Sequence, residues 1–370
     1  MEITTDRESL ATILGHTQGV VDKRHSMAVL TNVLLEAKDG KLDITATDLE
    51  ISLRQSCPAT VKKDGRAATS ARKLFEIVRE ASGDEVSIKV LENQQIEISY
   101  GRSNFKLMGI DPDEHPGMPA KAGNGQKAVS IEMESTELAE VIRKTIFAVS
   151  LDDTRSNLAG VYLEKGKKGV MRMVATDGHR LAMIDRKISG ELPTEGVILP
   201  RKGLAEVAKL LVEQAGPVTI VISGNDASMT LGDCVLSMRL VDGNFPDYQQ
   251  VIPSETNKLV GVGRDALYQT VKRIAILSSE RARGIRLTLK DGSMDVSAKN
   301  PDIGEATEDV EVEYSGDELE IGFNAKYFLD VLGVLPEGSR VELGLGDELS
   351  PGVVSGDDAD YRYVVMPMRT

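Results

Sequence analysis

A threefold internal repeat limits the folds open to this 370-residue chain more than any other feature of its sequence. In each repeat, an apolar strand end and a short polar turn precede a lysine that opens an amphipathic helix. These lysines are Lys73, Lys202 and Lys326. A second landmark keeps nearly the same spacing, and its residues are Asp48, Asp177 and Asn300. Because both landmarks recur every 123 to 129 residues, three similar domains are expected.

Each repeat also carries a hairpin signal and two helical patterns. Alternating apolar runs are joined by turns such as Asp39-Gly40 and Asp291-Gly292, which are typical of β-hairpins. Apolar residues at helical spacing predict helices at 6–15, 71–80, 135–148, 201–212, 264–277 and 324–335. The predicted fold class is therefore α+β, with mostly antiparallel sheets. Segments rich in proline and glycine predict the domain boundaries, which gives domains 1–125, 126–253 and 254–370.

The composition narrows the class of protein without assigning a function. No segment approaches the ~18 apolar residues of a membrane span, and residues 1–15 lack a signal-peptide pattern. A cytoplasmic protein with no membrane partner is therefore expected. Cys57 and Cys234 are predicted to be buried free thiols. Since there is no Cys-x-x-Cys or histidine cluster, neither a metal site nor a cofactor is expected.

The stretch VATDGHRLA (174–182) holds one of four histidines and raises the question of catalysis. Asp177-Gly178 between two apolar runs predicts a hairpin with His179 and Arg180 at its exit. A catalytic site would need a nucleophile or a second ligand, and the other three histidines lie in another repeat. No phosphate-binding loop of the Walker type is present. An enzyme is therefore a weaker interpretation than a repeat-built interaction scaffold.

Six motifs in order carry a resemblance to a known family. They are ATDGHRLA (175–182), the RKG helix start at Arg201, LVDGNFPDY (240–248), AILSSERARGIRL (275–287), NAKYFLDVL (324–332) and YVVMPMR (363–369). The whole chain resembles the bacterial DNA polymerase III beta subunits, the sliding clamps of the DNA clamp family. This resemblance implies a non-catalytic replication processivity factor. It also implies a head-to-tail homodimer whose domains close a ring, with sheets outside and helices lining the pore.

Simple geometry and charge are compatible with such a ring. Twelve helices side by side at about 9–10 Å spacing would leave a hole of roughly 27 Å, enough for a duplex and a water layer. The six predicted helices carry a net charge of +4, whereas the whole chain carries −14. An acidic protein cannot hold DNA strongly through counterion release. Retention on DNA by topology, and therefore nearly independent of salt, is the expectation.

The resemblance also implies a pocket that captures short peptides from the replicative polymerase, the clamp loader, other polymerases and repair factors. One wall is implied at Leu158, Thr176, Gly178, His179, Arg180 and Leu181, with Pro246 and Val251 following. The other wall is the C-terminal strand, with Val364, Val365, Met366, Pro367, Met368 and Arg369. A glycine in the wall allows the backbone of a peptide to approach closely, and the flexible side chain of methionine can adapt to several partners. Gln250 stands where some members of the family carry arginine.

The resemblance implies two further partners, double-stranded DNA and a second copy of the chain. Arg24 and Arg155 match DNA-contacting loop positions of the family. The helix argument adds Arg72, Lys73, Arg79, Arg143, Lys144, Arg201, Lys202, Lys272 and Arg273. Contacts to phosphates would give no sequence preference. For the dimer seam, the resemblance implies that Phe105 and Leu107 of one chain meet Ile276 and Leu277 of the other.

Overall fold

The computed structural model describes residues 1–21, 27–119, 128–152, 154–279 and 283–369. The chain forms two compact units, each built from separate stretches of sequence. Unit 1 contains Met1–Ala139, Ile188–Pro193 and Leu199–Leu240, and unit 2 contains Glu140–Lys187, Thr194–Ile198 and Val241–Thr370. The repeat boundaries after residues 125 and 253 stay a prediction, because the compact units group elements from more than one repeat.

Within the described part of the chain, six α-helices occur where helical spacing predicts them. They are α1 (Arg7–Thr17), α2 (Ala71–Arg79), α3 (Ser135–Thr145), α4 (Arg201–Glu213), α5 (Arg264–Ile274) and α6 (Ala325–Val334). The predicted helices 135–148 and 264–277 each change to a 3-10 turn for their last three residues. The 3-10 segments are Ala28–Thr31, Pro112–Glu114, Ile146–Ala148, Ser156–Leu158, Lys167–Gly169, Tyr248–Val251 and Ala275–Leu277. None of the helices described is both long and apolar enough to cross a membrane.

Unit 1 contains one antiparallel sheet of 14 strands. Ten of them follow one another in the spatial order Ser189–Gly190, Val129–Glu134, Pro217–Ser223, Asp226–Leu231, Cys234–Arg239, Ile51–Lys63, Glu2–Asp6, Glu85–Val90, Ile96–Tyr100 and Ser103–Leu107. The other four branch from it and are Asn32–Lys38, Lys41–Thr47, Gly65–Ser70 and Gly109–Ile110. The apolar faces of α1 and α2, including Leu10, Leu14 and Leu74, are fully buried in this unit.

Two further sheets are formed mostly by residues of unit 2, and the larger one carries the C-terminal strand. An eight-stranded sheet runs in the order Val197–Pro200, Gly160–Lys165, Met171–Thr176, Arg180–Arg186, Tyr361–Val365, Gly352–Ser355, Arg340–Leu345 and Lys258–Gly263. A four-stranded sheet has the order Gly304–Glu311, Ser293–Asn300, Gly284–Lys290 and Leu319–Asn324. Among the described residues, the strand pairs of unit 1 are antiparallel, and in unit 2 so are those of the four-stranded sheet and of the hairpin with the C-terminal strand, as alternation in the sequence predicts.

The repeated Asp and Asn positions have the same local role in all three repeats. A side-chain oxygen of Asp48, Asp177 and Asn300 accepts a hydrogen bond from the backbone N–H two residues further on, at 2.9, 2.9 and 3.1 Å. This Asx turn reverses the chain after a buried strand. The repeat is therefore a structural repeat, since an Asp or Asn side chain accepts the equivalent hydrogen bond in all three copies.

The cysteine prediction is confirmed. Cys57 and Cys234 are buried and free. Burial raises the pKa of the Cys234 thiol to about 12, so the thiol is protonated and unreactive at neutral pH.

Candidate functional site

The hairpin that contains His179 forms the first wall of the candidate site. Strands Met171–Thr176 and Arg180–Arg186 pair in register, with Thr176 opposite Leu181, as the turn dipeptide predicts. Gly178 has a φ of +90°, a conformation that favours glycine. A Cβ atom at this position would lie 3.1 Å from Nη1 of Arg155. The backbone of Gly178 is therefore accessible to solvent, whereas a side chain at this position would crowd the guanidinium of Arg155.

The C-terminal strand lies directly beside this hairpin. Strand Tyr361–Val365 pairs with Arg180–Arg186, so that Val364 stands opposite Leu181. Just beyond the strand, the backbone N–H of Met366 donates to the carbonyl oxygen of His179 at 2.9 Å. The two predicted walls thus belong to one continuous sheet.

A cavity of about 270 Å³ opens between these walls, entirely within unit 2. Its lining residues are Leu158, Thr176, Gly178, Arg180, Leu181, Pro246, Asp247, Tyr248, Val251, Val364 and Met366. Nine of the fourteen predicted pocket residues line it. Most of these side chains are apolar, so the cavity suits an aliphatic or aromatic side chain.

The other five predicted pocket residues lie elsewhere. Val365 is fully buried on the opposite face of its strand, because neighbouring side chains of a strand point in opposite directions. His179 is exposed at the hairpin turn, and Pro367 is half-buried. Met368 and Arg369 line a different, more polar cavity of about 460 Å³. The backbone N–H of Met368 donates to the carbonyl oxygen of Gly322 at 2.9 Å, which directs the chain toward the four-stranded sheet.

Tyr248 lines the cavity although it is missing from the predicted set. It belongs to a buried apolar cluster with Val174, Leu181, Met183 and Val364. Its hydroxyl donates to a carboxylate oxygen of Glu164. Burial and this hydrogen bond raise the pKa of Tyr248 to about 12. The motif LVDGNFPDY contains this residue, but the sequence gives no sign that its ring lies under the pocket.

The buried guanidinium of Arg180 joins several segments that surround the cavity. Its guanidinium donates to Asp177 at 3.0 Å, to Asp330 at 2.5 Å and to the carbonyl oxygen of Phe147 at 2.6 Å. It also lies 4.5 Å from the centre of the Tyr327 ring. Burial opposes its charge, but Tyr363 and the two carboxylates outweigh burial and raise the pKa of Arg180. The resemblance implies that Arg180 belongs to the pocket wall, and in the structure its charged group is committed to other parts of the protein.

Most basic residues predicted to face DNA are exposed, and several are already paired. Arg72 and Lys73 each contact Glu76 at 2.8 Å, and Arg273 pairs with Glu308. Pairings also involve Arg79, Arg143, Arg155 and Lys202. Of the predicted DNA-facing cations, Arg143, Arg201 and Lys272 are exposed and form no salt bridge with any described residue, although Arg143 donates to the carbonyl oxygen of Val334. Arg24 lies outside the described residues.

Lys144 departs from the expectation of a DNA-facing cation. It is 2% exposed. Its ammonium contacts Glu140 at 2.7 Å and Asp358 at 2.6 Å. Helical spacing placed it beside Arg143, but one residue along a helix rotates a side chain by about 100°, which here turns it inward. We therefore leave Lys144 out of the DNA-facing set.

The four residues predicted for the dimer seam are all at least partly accessible. Phe105 is 38% exposed on Ser103–Leu107, the last strand of its sheet, and its ring stacks on Tyr100 at 5.6 Å. Leu107 is half-buried on the same strand. In unit 2, Ile276 is 75% exposed and Leu277 is half-buried.

Comparison with known proteins covers the whole chain. Three family models of the DNA polymerase III beta subunit match in order: the N-terminal domain at residues 1–119, the central domain at 132–247 and the C-terminal domain at 249–369. Among curated relatives, the beta sliding clamp of Pseudomonas aeruginosa is 39% identical over 374 residues and that of Escherichia coli is 36% identical over 375. Both comparisons cover 100% of each chain.

Solved structures agree with these matches. A DNA polymerase sliding clamp from Pseudomonas aeruginosa superimposes with a TM-score of 0.91 at 39% identity, covering 100% of both chains. A sliding clamp from Bartonella birtlesii bound to griselimycin gives a TM-score of 0.93 at 33% identity, also with 100% coverage of both chains.

Proposed function

The chain belongs to the DNA polymerase III beta subunit family, and we propose on that premise that two copies join into a ring around duplex DNA. Family membership makes it a sliding clamp of DNA replication, a processivity factor rather than an enzyme. The observation that carries this function is the match of all three family domains, in order, to consecutive parts of the chain. We further infer that the protein acts in the cytoplasm, where bacterial replication takes place.

Charge supports passage of DNA along the helices rather than tight binding. The helices predicted from the sequence carry a net charge of +4 within a chain of −14. Exposed cations such as Arg201 and Lys272 stand on α4 and α5. Many other cations are already paired with carboxylates, which weakens each phosphate contact. Loose, sequence-independent contacts suit a protein that slides.

The dimer seam is proposed at two sheet edges of opposite charge. Among the described residues, strand Ser103–Leu107 pairs on one side only, and it carries Lys106 next to Phe105. Strand Gly304–Glu311 is likewise an outer strand and carries four carboxylates. An edge strand offers unpaired backbone groups to another strand. Two equivalent heterologous contacts of this kind would close a ring.

The cavity between the hairpin and the C-terminal strand is proposed as the capture site for partner peptides. Its apolar lining and small size suit one or two aliphatic or aromatic side chains of a short linear segment. The replicative polymerase, the clamp loader, other polymerases and repair factors are the proposed sources of such segments.

Release after DNA cleavage tests encirclement directly. The protein is loaded on nicked circular duplex by a clamp loader with ATP and then brought to about 0.5 M salt, where groove-bound proteins dissociate. We expect it to stay on the circle and to leave within minutes once a nuclease linearises the DNA. Blocking both new ends with bound bulky protein should restore retention. Loss at high salt before cleavage would favour a scaffold that does not encircle DNA.

A further inference from the structure

Most polar groups that line the capture cavity are already committed to the protein. The Thr176 hydroxyl donates to the carbonyl oxygen of Arg180 at 2.6 Å and accepts from the N–H of Gly178 at 3.1 Å. The Tyr248 hydroxyl donates to a carboxylate oxygen of Glu164 and accepts from Nη1 of Arg172 at 3.3 Å. Neither group is available to choose between ligands. Selectivity must therefore come from shape or from charged side chains.

Two charged side chains line the cavity, and their surroundings differ. Arg180 is buried and compensated by Asp177 and Asp330. Asp247 is exposed and forms no salt bridge with any described residue. Its Oδ1 accepts from the backbone N–H of Gln249 at 3.3 Å, and its Oδ2 accepts from Nε2 of Gln250 at 2.9 Å. Both donors are neutral.

A carboxylate can accept about four hydrogen bonds, so Asp247 keeps free lone pairs as well as an uncompensated charge. The cavity, at about 270 Å³, holds only the apolar part of a peptide. Residues beside that apolar part must then lie at the rim, where Asp247 stands. Water exclusion by a bound apolar side chain strengthens any charge pair formed at this rim.

We propose that Asp247 selects peptides that carry a lysine or arginine next to the apolar residues in the cavity. This inference rests on the proposed peptide site and adds the chemistry of its preferred ligand. Gln250 contributes to this selectivity, because its neutral amide holds the Asp247 carboxylate in place without neutralising its charge. An arginine at position 250 would lie within reach of the same oxygen and would compensate its charge.

The probe is a fluorescein-labelled nonapeptide of serine and alanine with a central Leu-Phe pair. Lysine, glutamine or glutamate is placed at each flanking position in turn, and affinity for the full-length protein is measured by fluorescence polarisation. In at least one register, we expect the lysine peptide to bind about 3- to 10-fold more tightly than the glutamate peptide. The ratio should fall toward one at about 0.5 M salt.

Two variants test the role of Asp247 independently. Asp247→Asn keeps an acceptor for the N–H of Gln249, so the 3-10 turn is retained, but it removes the charge. Gln250→Arg keeps the charge and supplies a counterion. Both should bring the lysine-to-glutamate ratio close to one. The matched controls Asp242→Asn and Gln269→Arg change the net charge equally at exposed positions outside the cavity lining and should keep the preference.

The outcomes separate this inference from the peptide site itself. If the glutamine peptide binds, loses affinity on Met366→Ala, and shows no charge preference at any position, the selectivity is wrong while the pocket stands. Equal weakening of all three peptides by Asp247→Asn would also overturn it, because Asp247 would then bind a backbone donor. If no peptide binds the parent protein, the pocket and the inference both fail.

Discussion

Gly178 and Leu49 occupy the same turn position in two repeats, since each follows the repeated aspartate. Both have left-handed backbone, with φ values of +90° and +77°. In the second repeat glycine adopts this conformation without strain, and in the first repeat a half-exposed leucine tolerates it. The turn is thus dictated by the Asx hydrogen bond rather than by glycine. Glycine matters at position 178 because it leaves the rim of the cavity open.

The variant Gly178→Ala, compared with a control glycine, shows how Gly178 affects the free energy of unfolding and, separately, the affinity for peptides. We expect the free energy of unfolding to fall by about 1 kcal/mol because alanine disfavours positive φ. Peptide affinity should fall as well, since the new Cβ would stand in the cavity lining and crowd Nη1 of Arg155. Gly40→Ala is the matched control, because Gly40 has a φ of +77° and its Cβ would meet no atom within 4 Å. Denaturant unfolding and fluorescence polarisation check both. Equal peptide affinity in the two variants would show that ligands do not approach Gly178.

At the scale of elements, a partly buried ion network joins the C-terminal strand to α3 and to strand Arg180–Arg186. Asp358, just before strand Tyr361–Val365, contacts Nζ of Lys144 at 2.6 Å and Nη2 of Arg186 at 2.5 Å. Burial alone would raise its pKa, but hydrogen bonds from Arg186 and Lys144 outweigh burial and lower the pKa of Asp358 to about 2. The network positions the strand that forms one wall of the pocket.

Asp358→Asn should therefore change stability in a pH-dependent way. A depressed carboxylate pKa stabilises the folded state above the unfolded value of 3.8, and this stability is lost as pH falls toward about 2. We expect the variant to lower the free energy of unfolding by about 2 kcal/mol at pH 7, because Lys144 and Arg186 lose a partner. The difference from the parent should shrink between about pH 4 and pH 2. Denaturant titrations across this range measure it, with exposed Asp357→Asn as control. A pH-independent difference would contradict the assignment.

At the scale of the whole molecule, closure of the ring depends on the seam between two copies. Ile276→Asp places a charge where 75% of an isoleucine side chain is exposed in the single chain. If the seam forms there, we expect the dimer to dissociate and the dimer dissociation constant to rise at least about 100-fold. Analytical ultracentrifugation should then find species near the 40.0 kDa of one chain.

Leu349→Asp is the matched control for this change, because Leu349 is 70% exposed in the same unit but is not part of the proposed seam. It should leave the dimer intact. An Ile276→Asp protein that stays dimeric at micromolar concentration would place the interface elsewhere.

Local sequence was enough to predict the helices, the hairpins and the threefold repeat. Turn dipeptides, amphipathic spacing and the repeated Asp or Asn act within a few residues, so their outcome depends little on the rest of the chain. Family motifs supplied the two walls of the pocket. Nine of the fourteen residues in those walls line one cavity. Among the others, Val365 faces the opposite side of its strand, and Met368 and Arg369 lie beyond the strand and line a different cavity.

Only the tertiary structure decided which charged side chains remain free to contact DNA or a peptide. The sequence analysis placed Lys144 in the DNA-facing set and Arg180 in the pocket wall, but carboxylates distant along the chain, from Asp358 and Asp330, pair with both cations. Nothing in the sequence distinguishes Asp247 from the other acidic residues, of which the chain has 58 in all. In the structure it lines an apolar cavity and has no counterion among the described residues. Burial and ion pairing arise from segments up to about 200 residues apart, as between Lys144 and Asp358, so no local pattern encodes them.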